Sequence, residues 1–142
     1  MRGFLDMAAT LLTQFPAAEV CFAWDDDWRP DFRVQAIGSY KAHRVADGDA
    51  DAEEVPDTLA PQVPVIAEVL EALGVARVGS PGFEADDVIG TLATGAAMPV
   101  DIVTGDRDLF QLVDDARGVR VVYTAKSVSR PDVYDQAMVA GK

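Results

Sequence analysis

Apolar positions along the chain follow two alternating rhythms. Phe4, Leu5, Ala8, Leu11, Leu12 and Phe15 recur at helical spacing and predict an amphipathic first helix. It should stop before Pro16, because the residue preceding a proline is pushed out of the helical region. Glu19-Val20-Cys21-Phe22-Ala23-Trp24 is short and rich in strand formers, and reads as a buried strand. Leu59, Val63, Ile66, Val69, Leu70 and Leu73 make a second helical stripe, closed by Gly74 as a C-cap. A short strand from Val75 to Val78 leads to Pro81-Gly82 and then to a helix marked by Val88, Ile89 and Leu92. Val100-Asp101-Ile102-Val103 reads as a strand ending at Thr104-Gly105, and Leu109, Phe110, Leu112 and Val113 as a short helix. Val119 to Tyr123 gives another strand, and Pro131 to Ala140 a last helix with Asp132 and Asp135 in its first turns. Residues 45–54 are small, acidic and aperiodic, and read as a flexible acidic loop. Strands are thus predicted near 19–24, 75–79, 99–104 and 119–123. Their alternation with helices predicts an α/β fold, a mostly parallel central sheet flanked by helices.

Length and composition narrow this picture. The chain has 142 residues, 49% of them hydrophobic, enough for one domain with a true core. Asp+Glu number 24 against Lys+Arg 12, a net charge of -12, so the surface as a whole repels phosphate backbones and anionic membranes. The single cysteine, Cys21, lies in an apolar run; it excludes an internal disulfide or a Cys-rich zinc site and reads as a core residue. His43 has no second His or Cys to join it as a metal ligand. Met1 opens no signal peptide and no apolar run approaches the length of a membrane span, so a soluble cytoplasmic chain with no membrane partner is expected.

The chemistry concentrates in carboxylates. Glu84, Asp86 and Asp87 sit at a helix start, Asp106 and Asp108 just beyond a strand end, and Asp25-Asp26-Asp27 at another. Any one cluster could serve as helix caps, where acids meet free N–H groups and the positive end of the helix dipole. Several together carry a repulsion that capping does not require. Hard divalent cations relieve it, and Mg²⁺ prefers a few carboxylates with waters and substrate phosphates. Such acids on one rim, outside the carboxyl ends of strands, suit a two-metal phosphodiester hydrolase. One basic stretch, Arg29 to Arg44, could supply cations to the phosphate's other side: Arg29, Arg33, Lys41, His43 and Arg44 alternate there with Trp28, Phe32 and Tyr40. The simpler reading of that stretch is a solvated face that balances the acids.

Several segments carry a family resemblance. Gly82-Phe83-Glu84-Ala85-Asp86-Asp87-Val88-Ile89-Gly90-Thr91-Leu92-Ala93 is similar to a Glu-Ala-Asp-Asp motif, and Thr104-Gly105-Asp106-Arg107-Asp108-Leu109 with Gln111-Leu112-Val113 to a second acidic motif, Arg107 standing where Lys is common. Phe32-Arg33, Tyr40-Lys41-Ala42-His43-Arg44 and Arg2-Gly3-Phe4-Leu5 fall at matching spacing. In these segments the chain resembles the bacterial 5'-3' exonuclease family, the flap endonuclease-like nucleases that also occur as the N-terminal domain of DNA polymerase I. The resemblance runs nearly end to end.

The resemblance implies a three-layer PIN-like fold and a divalent-metal-dependent hydrolase that cleaves DNA at 5' ends or flaps with two Mg²⁺ or Mn²⁺ ions. It implies that Asp26, Glu84, Asp86, Asp87, Asp106 and Asp108 hold metal, with Asp25 an alternative to Asp26. It also implies that Lys41 is catalytic and that Arg33, Tyr40, Lys41 and Arg44 meet the DNA. In the family a strand with a further metal-binding Asp precedes the Arg2-Gly3-Phe4 segment, and a helix-hairpin-helix DNA-binding region with two more aspartates follows. Residues 1–142 hold neither, so weakened activity and self-association through an exposed sheet edge are expected. Two other readings stay open: a non-catalytic remnant that binds metal or a partner, and a PIN-type RNA nuclease.

Overall fold

The first helix, α1 (Arg2–Gln14), buries Leu11 of its apolar stripe, and Phe15 donates its N–H to the Leu11 carbonyl just ahead of Pro16. The computed structural model describes residues 2–46, 49–53, 56 and 58–141. Where length predicts one domain, the chain gathers into two compact units, Glu19–Val88 and a second made of Arg2–Ala18 with Ile89–Lys142.

In the first unit, β1 (Cys21–Ala23) lies parallel to β4 (Ala76–Val78), Cys21 opposite Ala76 and Ala23 opposite Val78. The Trp24 N–H carries the ladder one step further to the Val78 carbonyl at 2.8 Å. Both strands are shorter than predicted. Cys21, expected in the core, is exposed, because the sheet at β1 consists of these two strands alone among the described residues. The basic stretch folds as α2 (Asp31–Ala36) and a 3-10 turn, Ala42–Arg44. Within the predicted acidic loop, β2 (Val45–Ala46) and β3 (Asp49–Glu53) pair antiparallel with an irregular register. Backbone pairing needs no apolar periodicity, so the pattern gave no sign of it; residues 47, 48 and 54 of that loop lie outside the described ones.

Helix α3 (Gln62–Ala72) starts three residues after Leu59, behind Pro61. Pro64 sits in its first turn, where a missing N–H breaks no helical bond. The helix ends as predicted. Gly74 takes φ 68°, its N–H bonds the Glu71 carbonyl at 2.9 Å, and the Val75 N–H bonds the Leu70 carbonyl at 3.0 Å. That is a Schellman closure, which satisfies two end carbonyls at a backbone angle glycine adopts without strain. Helix α4 (Ala85–Gly95) follows β4, with its first turn in the first unit.

The second unit holds the main core. Strand β5 (Val100–Thr104) runs parallel to β6 (Val119–Tyr123) in full register, as their apolar pattern predicts. Val121 and Val122 are completely buried on opposite faces of β6. With Val119, Val121 and Tyr123 of β6 pack Ala93, Ile102, Leu109, Val113 and Tyr134. The segment expected as a last helix is instead β7 (Asp132–Tyr134), antiparallel to β6, followed by the short α5 (Gln136–Ala140). Val133 and Tyr134 are strand formers, and Tyr134 stacks on Phe110 at 4.3 Å. Asp135 caps α5 from the Met138 N–H at 2.8 Å, so the helix starts only after it. The parallel ladders β1–β4 and β5–β6, with helices between strands, make the fold α/β, as predicted. Among the described residues, no helix is long and apolar enough to cross a membrane.

Candidate active site

The start of α4 is where the acids and the basic stretch meet. Glu84 precedes the helix, and its carbonyl accepts from the Asp87 and Val88 N–H groups at 3.1 and 3.3 Å. Asp87 Oδ2 reaches back to the Glu84 N–H at 3.0 Å, one half of a capping box. Asp25 Oδ1 accepts from the Ala85 N–H at 2.6 Å. Capping therefore accounts for Asp25 and for part of what Asp87 does.

It does not account for Glu84, which is only 5% exposed. A buried carboxylate must be paired, and the basic stretch supplies the donors. Tyr40 Oη donates to Oε1 at 2.6 Å, and Lys41 Nζ to Oε2 at 2.6 Å. Arg33 Nη1 lies 3.1 Å from Oε1. The same guanidinium forks onto Asp87, Nη1 to Oδ2 at 2.9 Å and Nη2 to Oδ1 at 2.7 Å. Arg33 comes from the third position of the short α2. Lys41 sits at φ 48°, uncommon for a residue with a Cβ. Its ammonium also donates to the Trp28 carbonyl at 2.9 Å, and Arg29 Nε to the Tyr40 carbonyl at 2.8 Å. Both bonds tie the Tyr40-Lys41 pair back to residues 28 and 29. Arg33 also lies over the rings of Phe32 and Tyr40, 5.1 and 5.7 Å from their centroids.

These contacts bias the charges. Burial, with the Glu84 hydrogen bond and charge, pushes the Tyr40 phenol up to about 12. Burial also pushes the Asp87 carboxyl up, but the Arg33 and Glu84 N–H hydrogen bonds and the Arg33 and Lys41 charges outweigh it and hold Asp87 below its ordinary value. The Asp87 hydrogen bond raises Arg33, against the opposing effect of burial.

The other predicted site residues are placed as follows. The Asp26 carboxylate packs over Gly79, with Oδ1 2.8 Å from where a Cβ would stand. Asp86 is half-buried in the first turn of α4, and its charge contributes to the upward shift of Tyr40. Arg44 is apart from the Glu84 group and pairs with Glu53 at 3.6 Å. In the second unit, Asp106 and Asp108 are exposed beyond the end of β5. The Asp106 N–H donates to Thr104 Oγ1 at 3.0 Å, and Asp106 Oδ1 accepts from the Asp108 N–H at 2.8 Å, which fixes the turn. Arg107 Nε reaches Tyr123 Oη at 3.3 Å, and that bond raises the arginine further.

Sequence reasoning missed the role of Tyr40 as a donor to Glu84, the capping by Asp25 and the link from Arg107 to Tyr123. The adjacency of Tyr40 to Lys41 was a usable signal for the first; the other two left none.

The donor set suits a hard divalent ion in its chemistry, all carboxylate oxygen. Its arrangement does not. Among the described residues no three Asp, Glu, His or Cys side chains are grouped to hold an ion, and all four carboxylate oxygens of Glu84 and Asp87 already hold donors of the chain. What stands at the start of α4 is an ion-paired cluster rather than a coordination shell.

Comparisons with known proteins agree with the motifs. Residues 1–142 match the family described as 5'-3' exonuclease, N-terminal resolvase-like domain. A 5'-3' exonuclease of Streptomyces coelicolor is 57% identical over 145 residues, covering 100% of this chain and 48% of that protein. One of Mycobacterium tuberculosis is 51% identical, covering 99% of this chain and 46% of that protein. DNA polymerase I of Mycobacterium bovis is 42% identical over 130 residues, covering 89% of this chain and 13% of that protein. The chain spans about half the length of the first two relatives. From the acidic motifs, the basic stretch that meets them and a match along its whole length, the chain belongs to the 5'-3' exonuclease family, as its N-terminal resolvase-like domain.

Proposed function

We propose that this chain is a divalent-metal-dependent 5' nuclease that hydrolyses DNA phosphodiester bonds at 5' ends or flaps. Asp26, Glu84, Asp86, Asp87, Asp106 and Asp108 are its metal-directed carboxylates, and Arg33, Tyr40, Lys41 and Arg44 face the DNA. Two Mg²⁺ or Mn²⁺ ions, once bound, would activate water and steady the leaving oxygen. The observation that carries this reading is the Glu84 cluster: cations from α2 and the following loop converge on acids at a helix start, which puts groups of the kind that bind phosphate beside groups of the kind that bind metal. The similarity to DNA polymerase I of Mycobacterium bovis supports DNA as substrate.

The test is cleavage of a 5'-labelled flap DNA by the purified chain at low salt with Mn²⁺. Cleavage is expected to depend on the metal, to vanish in Asp86→Asn and to fall strongly in Lys41→Ala. An RNA flap of the same sequence should stay uncut; cutting it equally well would move the substrate to RNA. A folded chain with bound Mn²⁺ that leaves flap DNA intact, just as Asp86→Asn does, would sink the reading. The same result would favour the non-catalytic binding module, which the saturated carboxylates of Glu84 and Asp87 already suit.

A further inference from the structure

Large apolar side chains on a surface are ordinary when they stand singly. Phe32 and Phe83 do not. Among the described residues they are the only exposed aromatic ones, at 48% and 44%, and they meet, ring centroids 5.8 Å apart at an angle of 47°. At that tilt neither ring covers the other, so the pair keeps flat apolar surface in water that burial would have removed.

Both rings stand on fixed backbone. Phe32 is in the first turn of α2, where the Arg33 and Val34 N–H groups bond the Pro30 carbonyl at 3.0 and 3.2 Å. Phe83 closes a turn through Pro81-Gly82. Its N–H donates to the Ser80 carbonyl at 3.0 Å, and Gly82 holds φ 78°, a positive angle of the kind glycine supplies at the third position of such a turn. The Phe83 carbonyl accepts from the Asp27 N–H at 3.3 Å. A surface ordered in this way before any ligand arrives loses little freedom on binding one.

The neighbours of the pair point to its ligand. Arg33 Cζ lies 5.1 Å from the Phe32 centroid. Phe83 directly precedes Glu84, whose Oε1 is 3.1 Å from Arg33 Nη1. Exposed rings beside a cation are the combination that holds a nucleotide of a single strand: the cation attracts the backbone and the ring takes the face of whichever base is present. A base inside a duplex is already stacked, whereas an unpaired one can be laid on a side chain.

We infer that Phe32 and Phe83 form an exposed platform on which an unpaired nucleobase of a 5' flap stacks. This rests on the proposed reading of DNA as substrate and adds to it a feature that favours unpaired over paired nucleotides. The rival role for the two rings is a lid that keeps water from the ion pair of Arg33 with Asp87. A lid needs apolar bulk, which leucine also supplies. A platform needs a flat ring, which leucine lacks.

The test is a cycle between protein and DNA, read by anisotropy at low salt in EDTA so that no strand is cut. One substrate is a 3'-labelled duplex with a 5' flap of thymidines. The other carries the same flap built of abasic units, which keep every phosphate and lack every base. The unaltered chain is expected to bind the base-bearing flap about tenfold more tightly. Phe32→Leu and Phe83→Leu, checked for folding by circular dichroism, should lose about fivefold on the base-bearing flap and stay within about twofold of the unaltered chain on the abasic one. Phe32→Trp, which keeps a ring, should retain the preference for bases. The slope of log affinity against log salt should be the same in every chain, because stacking releases no counter-ion. Equal affinity of the unaltered chain for the two flaps would overturn the platform while DNA stands as substrate. So would leucine variants that keep the preference for bases or weaken on both flaps alike. A folded, unaltered chain that binds neither flap would overturn both.

Discussion

At the scale of single residues, the decisive side chain is Glu84. Tyr40 and Lys41, two of its partners, lie 44 and 43 positions upstream, and a sequence cannot show which donors will meet which acids across such a span. What it did show was the acids themselves and the Tyr40-Lys41 pair. The cluster has consequences in both directions of pH. The Asp87 carboxyl is held below its unfolded value, so its contribution is complete above the ordinary carboxylate range and is lost as pH falls through the depressed folded value. Arg33→Gln should therefore lower the urea midpoint at pH 7, and by progressively less as pH falls below the ordinary carboxylate range; a loss independent of pH would contradict the ion pair. The Tyr40 phenol moves the other way, up to about 12. Its raised value favours the neutral phenol, so stability is intact below the ordinary tyrosine value near ~10 and declines as pH rises from there toward the folded value. Absorbance at about 295 nm, which follows tyrosinate, should show one late-ionising tyrosine that disappears in Tyr40→Phe. Its persistence in that variant would assign the shift elsewhere.

At the scale of elements, regular apolar rhythm decided what could be foreseen. The segment Val119 to Tyr123, buried on both faces, and its neighbour Val100 to Thr104 appear where the apolar runs put them. Helix α3 ended at the glycine foreseen for it, and Gly74→Ala, at φ 68°, should cost about 1 kcal/mol by thermal unfolding. No change in melting temperature there would argue against the left-handed closure. Strand β7 was missed because Asp132 and Asp135 resemble first-turn acids. Only Asp135 is a cap, and Asp135→Ala should cost ~1 kcal/mol. Strand β1 was overrated as a buried element, since apolar side chains specify a core only where a second layer covers them. Its exposed Cys21 should react with a thiol reagent in native buffer about as fast as in urea; strong native protection would mean that something covers that edge.

For the molecule as a whole, the balance of charge sets how it could approach the proposed DNA substrate. A net charge of -12 opposes a phosphate backbone at long range, so local cations must provide the attraction. If Arg33, Lys41 and Arg44 are the phosphate contacts, the slope of log binding constant against log salt on duplex DNA should be no steeper than about -2.7, from ~0.9 per contact. Anisotropy with labelled DNA at increasing KCl would measure it, and a much steeper slope would reveal a basic surface elsewhere. Composition predicted the acidic surface, and the motifs predicted the family. Neither foretold that in this chain acids and cations would be found satisfying one another.

Gly79 has no side chain, yet the Asp26 carboxylate stands in the space where a Cβ would be. Only the end of that flexible side chain would have to move for alanine to fit, so Gly79→Ala leaves the backbone room to fold while turning Asp26 away from its place. If Asp26 serves the proposed nuclease reaction, then in a saturation library sorted for that function position 79 would rank with the acids: a residue with no chemistry of its own, as intolerant of change as the carboxylate it makes room for.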